Sequence, residues 1–413
     1  MATSIRSHAF FIGNLHNNIT PGTLVRSNWT KVIENNDTYN FLCSYFHKSH
    51  VDAMIEAHGQ QRPKFLNQVH HYKLDINASI PFSSFNAETG HLTVFNDYKL
   101  NIIGLHVYFM PLDITLYAVE IDDSGSDLND LTLAHLYIRE FPTRWDQFND
   151  EFRQALAPIK TLCAHNNASP LFTGGNKLKT FQVLMVDEAA WTNEHLYEIG
   201  TCSPVDIVGT SHDLAPSHEY YTSIIKDNMI APFKTWKSLS LMDSFTALIK
   251  WDENTKEKNW ESYKATWINS YYRLIFLRVL MQKAYLSSQN IQYRLKRSGA
   301  RSIRGLARME QYYFYDNISY NFLPDMLNKQ MENGMAINEE KAELSAQIKE
   351  CDSKNTNTLM VILSVFAIFS ISNNIYTVVK DITHRELPIF LSVISGIALI
   401  CIILLIIRLV RRQ

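Results

Sequence analysis

Two apolar runs near the C-terminus constrain the chain more than anything else in it. The first extends from Leu359 to about Val379 and the second from Ile389 to about Val410. Each is roughly 20 residues, the length an α-helix needs to cross about 30 Å of hydrocarbon. The second, "IFLSVISGIALICIILLIIRLV", is interrupted only by Arg408 and has no polar face to show to water, which argues against a pair of buried core helices. Between the runs, "KDITHREL" is short and polar, and Pro388 suits the first turn of a helix. The expectation is a C-terminal two-helix transmembrane hairpin with the lipid bilayer as a partner. Lys349 and Lys354 precede the first run, and Arg408, Arg411 and Arg412 close the second. Lys380 and Arg385 in the loop are offset by Asp381 and Glu386. This bias predicts a multi-pass protein of the inner, cytoplasmic membrane with both termini in the cytoplasm.

Composition narrows the remainder. The chain has 413 residues and a net charge of -2, so no global basic excess exists to neutralise phosphates, and direct nucleic-acid binding is not expected. The five cysteines, Cys43, Cys163, Cys202, Cys351 and Cys401, are odd in number and form no CxxC, which fits a reduced compartment. The opening "MATSIRSHAFFIGNLHNN" lacks a continuous apolar segment, so no signal peptide is expected. The glycosylation patterns at Asn18, Asn28, Asn77 and Asn317 are then read as chance.

The expected fold class is α+β, with a cytoplasmic mixed α/β domain over residues 1–250, a long-helix stalk over 251–357 and the hairpin over 358–413. "HAFFIG", "NFLCSYF", "HYKLDI", "LNIIGLHVYFM", "ITLYAVEI", "FQVLMVD" and "PVDIVG" read as strands, rich in aromatic and β-branched residues. "HVDAMIEAH", "DLTLAHLYIREF", "RWDQFNDEFRQAL" and "EHLYEIG" read as helices between them. A hairpin turn is expected near Pro111-Leu112-Asp113. Residues 259–295 and 304–327 carry apolar stripes at helical spacing and read as two long helices. "ENGM" around Gly334 reads as a turn, and a third helix starts at Ile337, with Ile337, Leu344, Ile348 and Cys351 along one packing seam.

On the first apolar run, Asn357, Met360, Ser364, Ala367, Ile371, Asn374 and Val378 recur three or four apart and form a small or polar stripe. Leu359, Ile362, Phe366 and Phe369 form a bulky one. The polar stripe favours a pore lined by this helix in a cyclic homo-oligomer. Amide and small side chains that merely hold helices together are the alternative. Met360, Leu363 and Ile371 could form hydrophobic constrictions, and Asp381, Thr383 and Glu386 are the candidates for a cation-attracting mouth.

"NTLMVILS", with Asn357, Met360, Leu363 and Ser364, "HRELP", with Glu386 and Leu387, and the basic end "RLVRRQ" together resemble the CorA family of divalent-cation transporters and channels. The resemblance covers roughly the last 160 residues in layout and about 30 in motif. It implies a cytoplasmic α/β domain, long helices and a pentamer conducting a divalent cation such as magnesium. The family's Gly-Met-Asn signature occurs nowhere in this chain, which leaves the ion open. A large α/β domain joined to such a hairpin without the signature also resembles the subset found beside type III CRISPR systems. That subset implies a defence effector switched on by a nucleotide second messenger, an adenylated S-adenosylmethionine.

Other chemistry is sparse. "TGGNKLK" is glycine-rich and offers Lys177 for a phosphate, but it lacks the P-loop pattern and precedes a strand instead of following one. "VGTSHDLAPSHE" at 208–219 is a possible ligand loop but not a nucleophile elbow. Arg301, Arg304 and Arg308 share a helical face that could take a nucleotide phosphate or anionic lipid heads, or could simply be solvated. His47, His50, His58 and the pair His70-His71 match no metal spacing. No catalytic pair stands out. The sequence therefore points to a ligand-gated, CorA-like cation channel that is not an enzyme. The alternative is a membrane-anchored enzyme or a membrane-disrupting defence toxin.

Overall fold

The structure is a computed structural model. It describes residues 5–15, 19–58, 68–86, 91–111, 114–125, 128–164, 177–187, 192–202, 217–241, 244–251, 256–269, 271–296, 317–347 and 349. The chain divides into two compact units. One joins Met1–Ser288 with Ala307–Glu340, and the other joins Gln289–Leu306 with Lys341–Gln413.

The first unit is built on one nine-stranded sheet. Its strands are β1 (Ile5–Leu15), β2 (Thr30–Lys31), β3 (His70–Asn86), β4 (His91–Met110), β5 (Ile114–Gly125), β6 (Lys179–Val186), β7 (Met229–Ile230), β8 (Trp236–Leu241) and β9 (Ser244–Lys250). They lie in the order β2-β3-β4-β5-β1-β6-β9-β8-β7, so the first strand of the chain sits at the centre. All neighbours run antiparallel except β6 and β9. β1 reads "IRSHAFFIGNL" and is buried along most of its length on both faces, as a central strand must be.

The alternation of strand side chains sorts residues between two helical layers. Ala9, Phe11, Leu105, Val107, Val119, Ile121 and Leu184 enter one apolar core. It is completed by α4 (Leu128–Arg139), α6 (Asp150–Ala164) and α7 (Asn193–Thr201) through Leu131, Ala134, Ile138, Phe152, Leu156 and Ile199. Phe10, Phe181 and Phe245 face the other way. There α10 (Tyr271–Lys296) places Phe276 5.3 Å from Phe181, and Trp267 stacks on Phe245 at 5.9 Å. Trp267 belongs to a π-helical turn, Lys264–Ile268, that leads toward α10. The helix Phe322–Gly334 packs on β8, where a Cβ at Gly334 would meet Ser240 Cβ at 2.8 Å and its carbonyl oxygen at 3.0 Å. That approach requires glycine.

Several sequence expectations hold here. The strands containing "HAFFIG", "HYKLDI", "LNIIGLHVYFM", "ITLYAVEI" and "FQVLMVD" form. β4 and β5 pair antiparallel with Met110 opposite Ile114, Glu332–Gly334 of "ENGM" close a helix and the turn follows at Met335–Ala336, and the helix beginning at 337 has Ile337 and Leu344 fully buried. "PVDIVG", Ile348 and Cys351 lie outside the described residues.

Three expectations are corrected. "NFLCSYF" is not a strand but most of α2 (Asn36–Tyr45). Its Asn35 caps the helix by accepting from the Thr38 amide at 2.7 Å, and this local signal outweighs the aromatic content. Residues 259–295 are not one helix: α9 (Lys256–Tyr263) passes through the π-turn before α10 begins. The transmembrane hairpin and the multi-pass membrane placement are corrected by a third finding. Among the described residues, no helix is long and apolar enough to cross a membrane. α10 has the length, at 26 residues, but Arg273, Arg278, Lys283, Arg294 and Lys296 interrupt its apolar character. The expected spans, 359–379 and 389–410, lie outside the described residues.

Candidate functional site

On the α10 side of the sheet, polar side chains occupy positions that would ordinarily be apolar. β1 supplies His8, β5 Glu120 and Asp122, β4 His106 and Tyr108, and β3 His71 and Lys73. Pairing in register, His8 with Asp122 and His71 with Tyr108, brings them together. Glu120 is the centre. It accepts from His8 Nε2 at 3.0 Å through one oxygen and from His106 Nε2 at 2.9 Å through the other. Lys73 Nζ stands 3.4 Å away. Gly104, opposite Glu120, leaves room for that lysine, because a Cβ there would come within 2.8 Å of Lys73 Cε.

Charge follows from these contacts. Burial disfavours ionised Glu120, but His106 and His8 outweigh it and hold the carboxyl far below the usual range. Burial likewise opposes a charge on His8, yet Asp122 and Glu120 raise its pKa. Lys264 of the π-turn reaches Asp122 at 3.0 Å and closes this end. At the other end burial keeps His106 neutral-leaning despite Glu120. Because Glu120 can only accept, His106 Nε2 carries the proton and His106 Nδ1 is the acceptor. His71 Nε2 then donates to that Nδ1 at 2.9 Å. Burial and His106 hold His71 well below its ordinary value, so its remaining nitrogen is an acceptor.

His71 opens onto a cavity of about 20 Å³, enclosed by α2, α3 (Lys48–Met54), β3, β4 and the first turns of α10. Apolar walls come from Leu42, Met54, Ile55, Val69, Leu274 and Leu277, and polar groups from Glu34, Glu56, His71, Tyr108, Asn269 and Arg273. Glu56 is already engaged, by Lys31 at 2.7 Å and His70 at 2.9 Å. The others are not. Tyr108 stacks on His71 at 4.4 Å, and burial pushes its phenol up to about 12, yet its buried hydroxyl has no hydrogen-bond partner. The Arg273 guanidinium lies 5.1 Å over the Phe10 ring. It meets no carboxylate among the described residues, and its Nε is buried without a partner. Burial raises the Glu34 carboxyl, although Arg273 works against this. A buried hydroxyl left unpaired costs about 1–3 kcal/mol, and an unpaired guanidinium costs more.

The residues singled out in the sequence fall elsewhere. Lys177 pairs with Glu140 at 2.7 Å, beside Arg144, and does not line this cavity. Arg301, Arg304 and Arg308 lie outside the described residues. So do the pore-lining set Asn357, Met360, Leu363, Ser364, Ala367, Ile371, Asn374 and Val378 and the mouth residues Asp381, Thr383 and Glu386. His71, one of the histidines read as lacking a metal pattern, is instead part of a hydrogen-bonded chain. Among the described residues no group of three or more His, Cys, Asp or Glu is placed to hold a metal ion. His8, His106, Glu120, Tyr108 and Arg273 went unnoticed in the sequence. The signal for the first three was a charged or imidazole side chain inside an otherwise apolar strand, as in "SHAFF", "GLHVYF" and "AVEID". No family model, curated protein or solved structure matches the chain.

Proposed function

We propose that the chain senses a small phosphate-bearing ligand, of the nucleotide class that the sequence resemblance implies, and that α10 carries the response. One observation supports this above all: two buried polar atoms without a hydrogen-bond partner, Arg273 Nε and the Tyr108 hydroxyl, belong to residues that line one cavity. A planar guanidinium suits a phosphate, which accepts from it through two oxygens at once. Burial raises the Glu34 carboxyl and so weakens its repulsion of an anion, while Arg273 acts in the opposite sense.

Size supplies the coupling. A cavity of about 20 Å³ holds little more than one water. A phosphate enters only when α10 or the α2–α3 wall gives way, so binding and displacement are one event. The ligand drives the change by preferring the displaced state. α10 spans 26 residues, about 39 Å at 1.5 Å per residue, and its residues from Gln289 onward belong to the second compact unit. The cation-conducting role rested on the transmembrane hairpin and is not part of this proposal.

Calorimetric titration of the full chain with inorganic phosphate, mononucleotides and dinucleotides tests the reading, alongside Arg273→Gln. Saturable binding that weakens about tenfold or more in the variant, a loss of at least 1.4 kcal/mol, is expected. Hydrogen exchange in α10 should change on binding. Absence of binding by every ligand, or equal binding by Arg273→Gln, would overturn it.

A further inference from the structure

The imidazoles packed against the sheet are of two kinds. On the face opposite the cavity, His135 of α4 has Asp123 Oδ2 3.5 Å from its Nε2. Burial opposes a charge there, but Asp123 and Cys202 outweigh it and raise His135 to about 9. The partner of His71, which lines the cavity, is instead another imidazole. Its Nε2 is committed to His106, 2.9 Å away, and burial, with His106 and Arg273 nearby, holds the ring well below its ordinary value.

The direction of these hydrogen bonds is fixed from the far end. The Glu120 carboxylate can only accept, and one of its oxygens takes the His106 Nε2 proton at 2.9 Å. A neutral His106 then presents a lone pair at Nδ1, so His71 Nε2 supplies the hydrogen between the two rings. His71 Nδ1 is left as a second lone pair, the one polar atom the ring can still offer the cavity. Water does not compete for these protons, because His106 is 2% exposed and Glu120 6%. The ring itself is held flat on Tyr108, 4.4 Å away, its opposite number across β3 and β4.

Resting on the reading of this cavity as a phosphate site, we propose that His71 is its specificity-determining residue, and that the cavity takes a phosphate bearing a donor hydrogen in preference to a fully ionised oxyanion. The other polar groups along the wall do not draw that distinction as His71 does. Arg273 has only donors and suits any oxyanion. The Tyr108 hydroxyl, without a partner, can donate to any of them. Asn269 can turn either end of its amide to a ligand. Glu34, when ionised, could accept the same hydrogen, which calls for a separate variant. A bare oxyanion sets lone pair against lone pair at His71 Nδ1, whereas hydrogen phosphate turns its hydroxyl there. A phosphate ester that has lost its last acidic proton must bring the donor from a neighbouring hydroxyl, as a sugar phosphate does.

The probes are inorganic phosphate and sulfate, titrated calorimetrically into the full chain at about pH 8, where both are mainly dianions and differ by one hydrogen. Phosphate should bind about tenfold or more tightly than sulfate, because a site built to accept a hydrogen rejects the analogue that lacks it. The preference should persist in Glu34→Gln and shrink to about threefold or less in His71→Phe. Nitrogen-15 NMR of the histidine rings needs neither variant nor ligand, and should find the His71 hydrogen on Nε2 with Nδ1 bare. Sulfate bound as tightly as phosphate, with both weakened by Arg273→Gln, would overturn the preference and leave the phosphate site standing. Binding of neither anion would overturn both. A preference that survives in His71→Phe or vanishes in Glu34→Gln, or a hydrogen on His71 Nδ1, would also overturn the proposal.

Discussion

His8 and Glu120 meet across the β1–β5 pair, Nε2 to Oε1 at 3.0 Å, with both side chains nearly sealed from water. Neither charge would persist there alone. Glu120→Gln removes the anion on which His8, His106 and Lys73 converge, and a buried pair broken from one side costs about 3–5 kcal/mol. Thermal denaturation at neutral pH should show a large drop in midpoint. The depressed carboxyl also fixes a sign. Its contribution is whole above the ordinary glutamate value of 4.5 and drains away as pH falls from there through the lower folded value. The wild type should lose stability on that acid limb more steeply than Glu120→Gln.

The alkaline side has a different owner. His135 is raised from 6.5 to about 9, so its contribution is fully present below 6.5 and is lost as pH rises through about 9. His8, also raised, acts in the same sense. Melting curves between pH 6.5 and 9 should show a falling midpoint in the wild type and a flatter profile in His135→Gln.

A ligand site built from unanswered donors should be more stable without them. Arg273→Leu replaces a guanidinium lacking a carboxylate partner with an apolar side chain beside Phe10, and Tyr108→Phe deletes a hydroxyl that bonds to nothing. Both should keep the unfolding free energy within about 0.5 kcal/mol of wild type or raise it, while weakening phosphate binding. A clear loss of stability in either would mean that the group already has a structural partner.

Gly334→Ala tests the packing between the Phe322–Gly334 helix and β8. The new methyl group would meet Ser240 Cβ at 2.8 Å and its carbonyl oxygen at 3.0 Å. The Ser240 hydroxyl can rotate, but the backbone cannot. Overpacking of this kind costs about 1–3 kcal/mol and should appear as a lower denaturant midpoint with an unchanged slope.

Much of the sheet was legible because its strands carry dense β-branched and aromatic runs, and α4 and α7 because their apolar residues recur at helical spacing. α2 was misread because Phe41, Tyr45 and Phe46 look like strand residues, whereas the Asn35 cap decides the outcome. The break before α10 was hidden, since the apolar stripe runs on through Lys264–Ile268. The candidate sites were the least legible part. His71 and Arg273 are 202 positions apart in the numbering, and only the sheet order and the docking of α10 place them on one cavity. Lys177 attracted notice through its glycine-rich setting, but its charge is matched locally by Glu140.

The central position of β1 has a consequence for how the chain reaches this structure. β1 precedes both of its neighbours in the chain, yet Ile5 pairs with Gly125 and Arg6 with Met185. Until β5 and β6 have emerged, the run Ala9–Ile12 has neither neighbour. Closing such distant pairs slows folding, and an unpaired apolar strand is open to association with other chains in the meantime. A strand that precedes both of its neighbours in the chain is therefore enclosed only after they have been made, although it ends at the centre of the sheet.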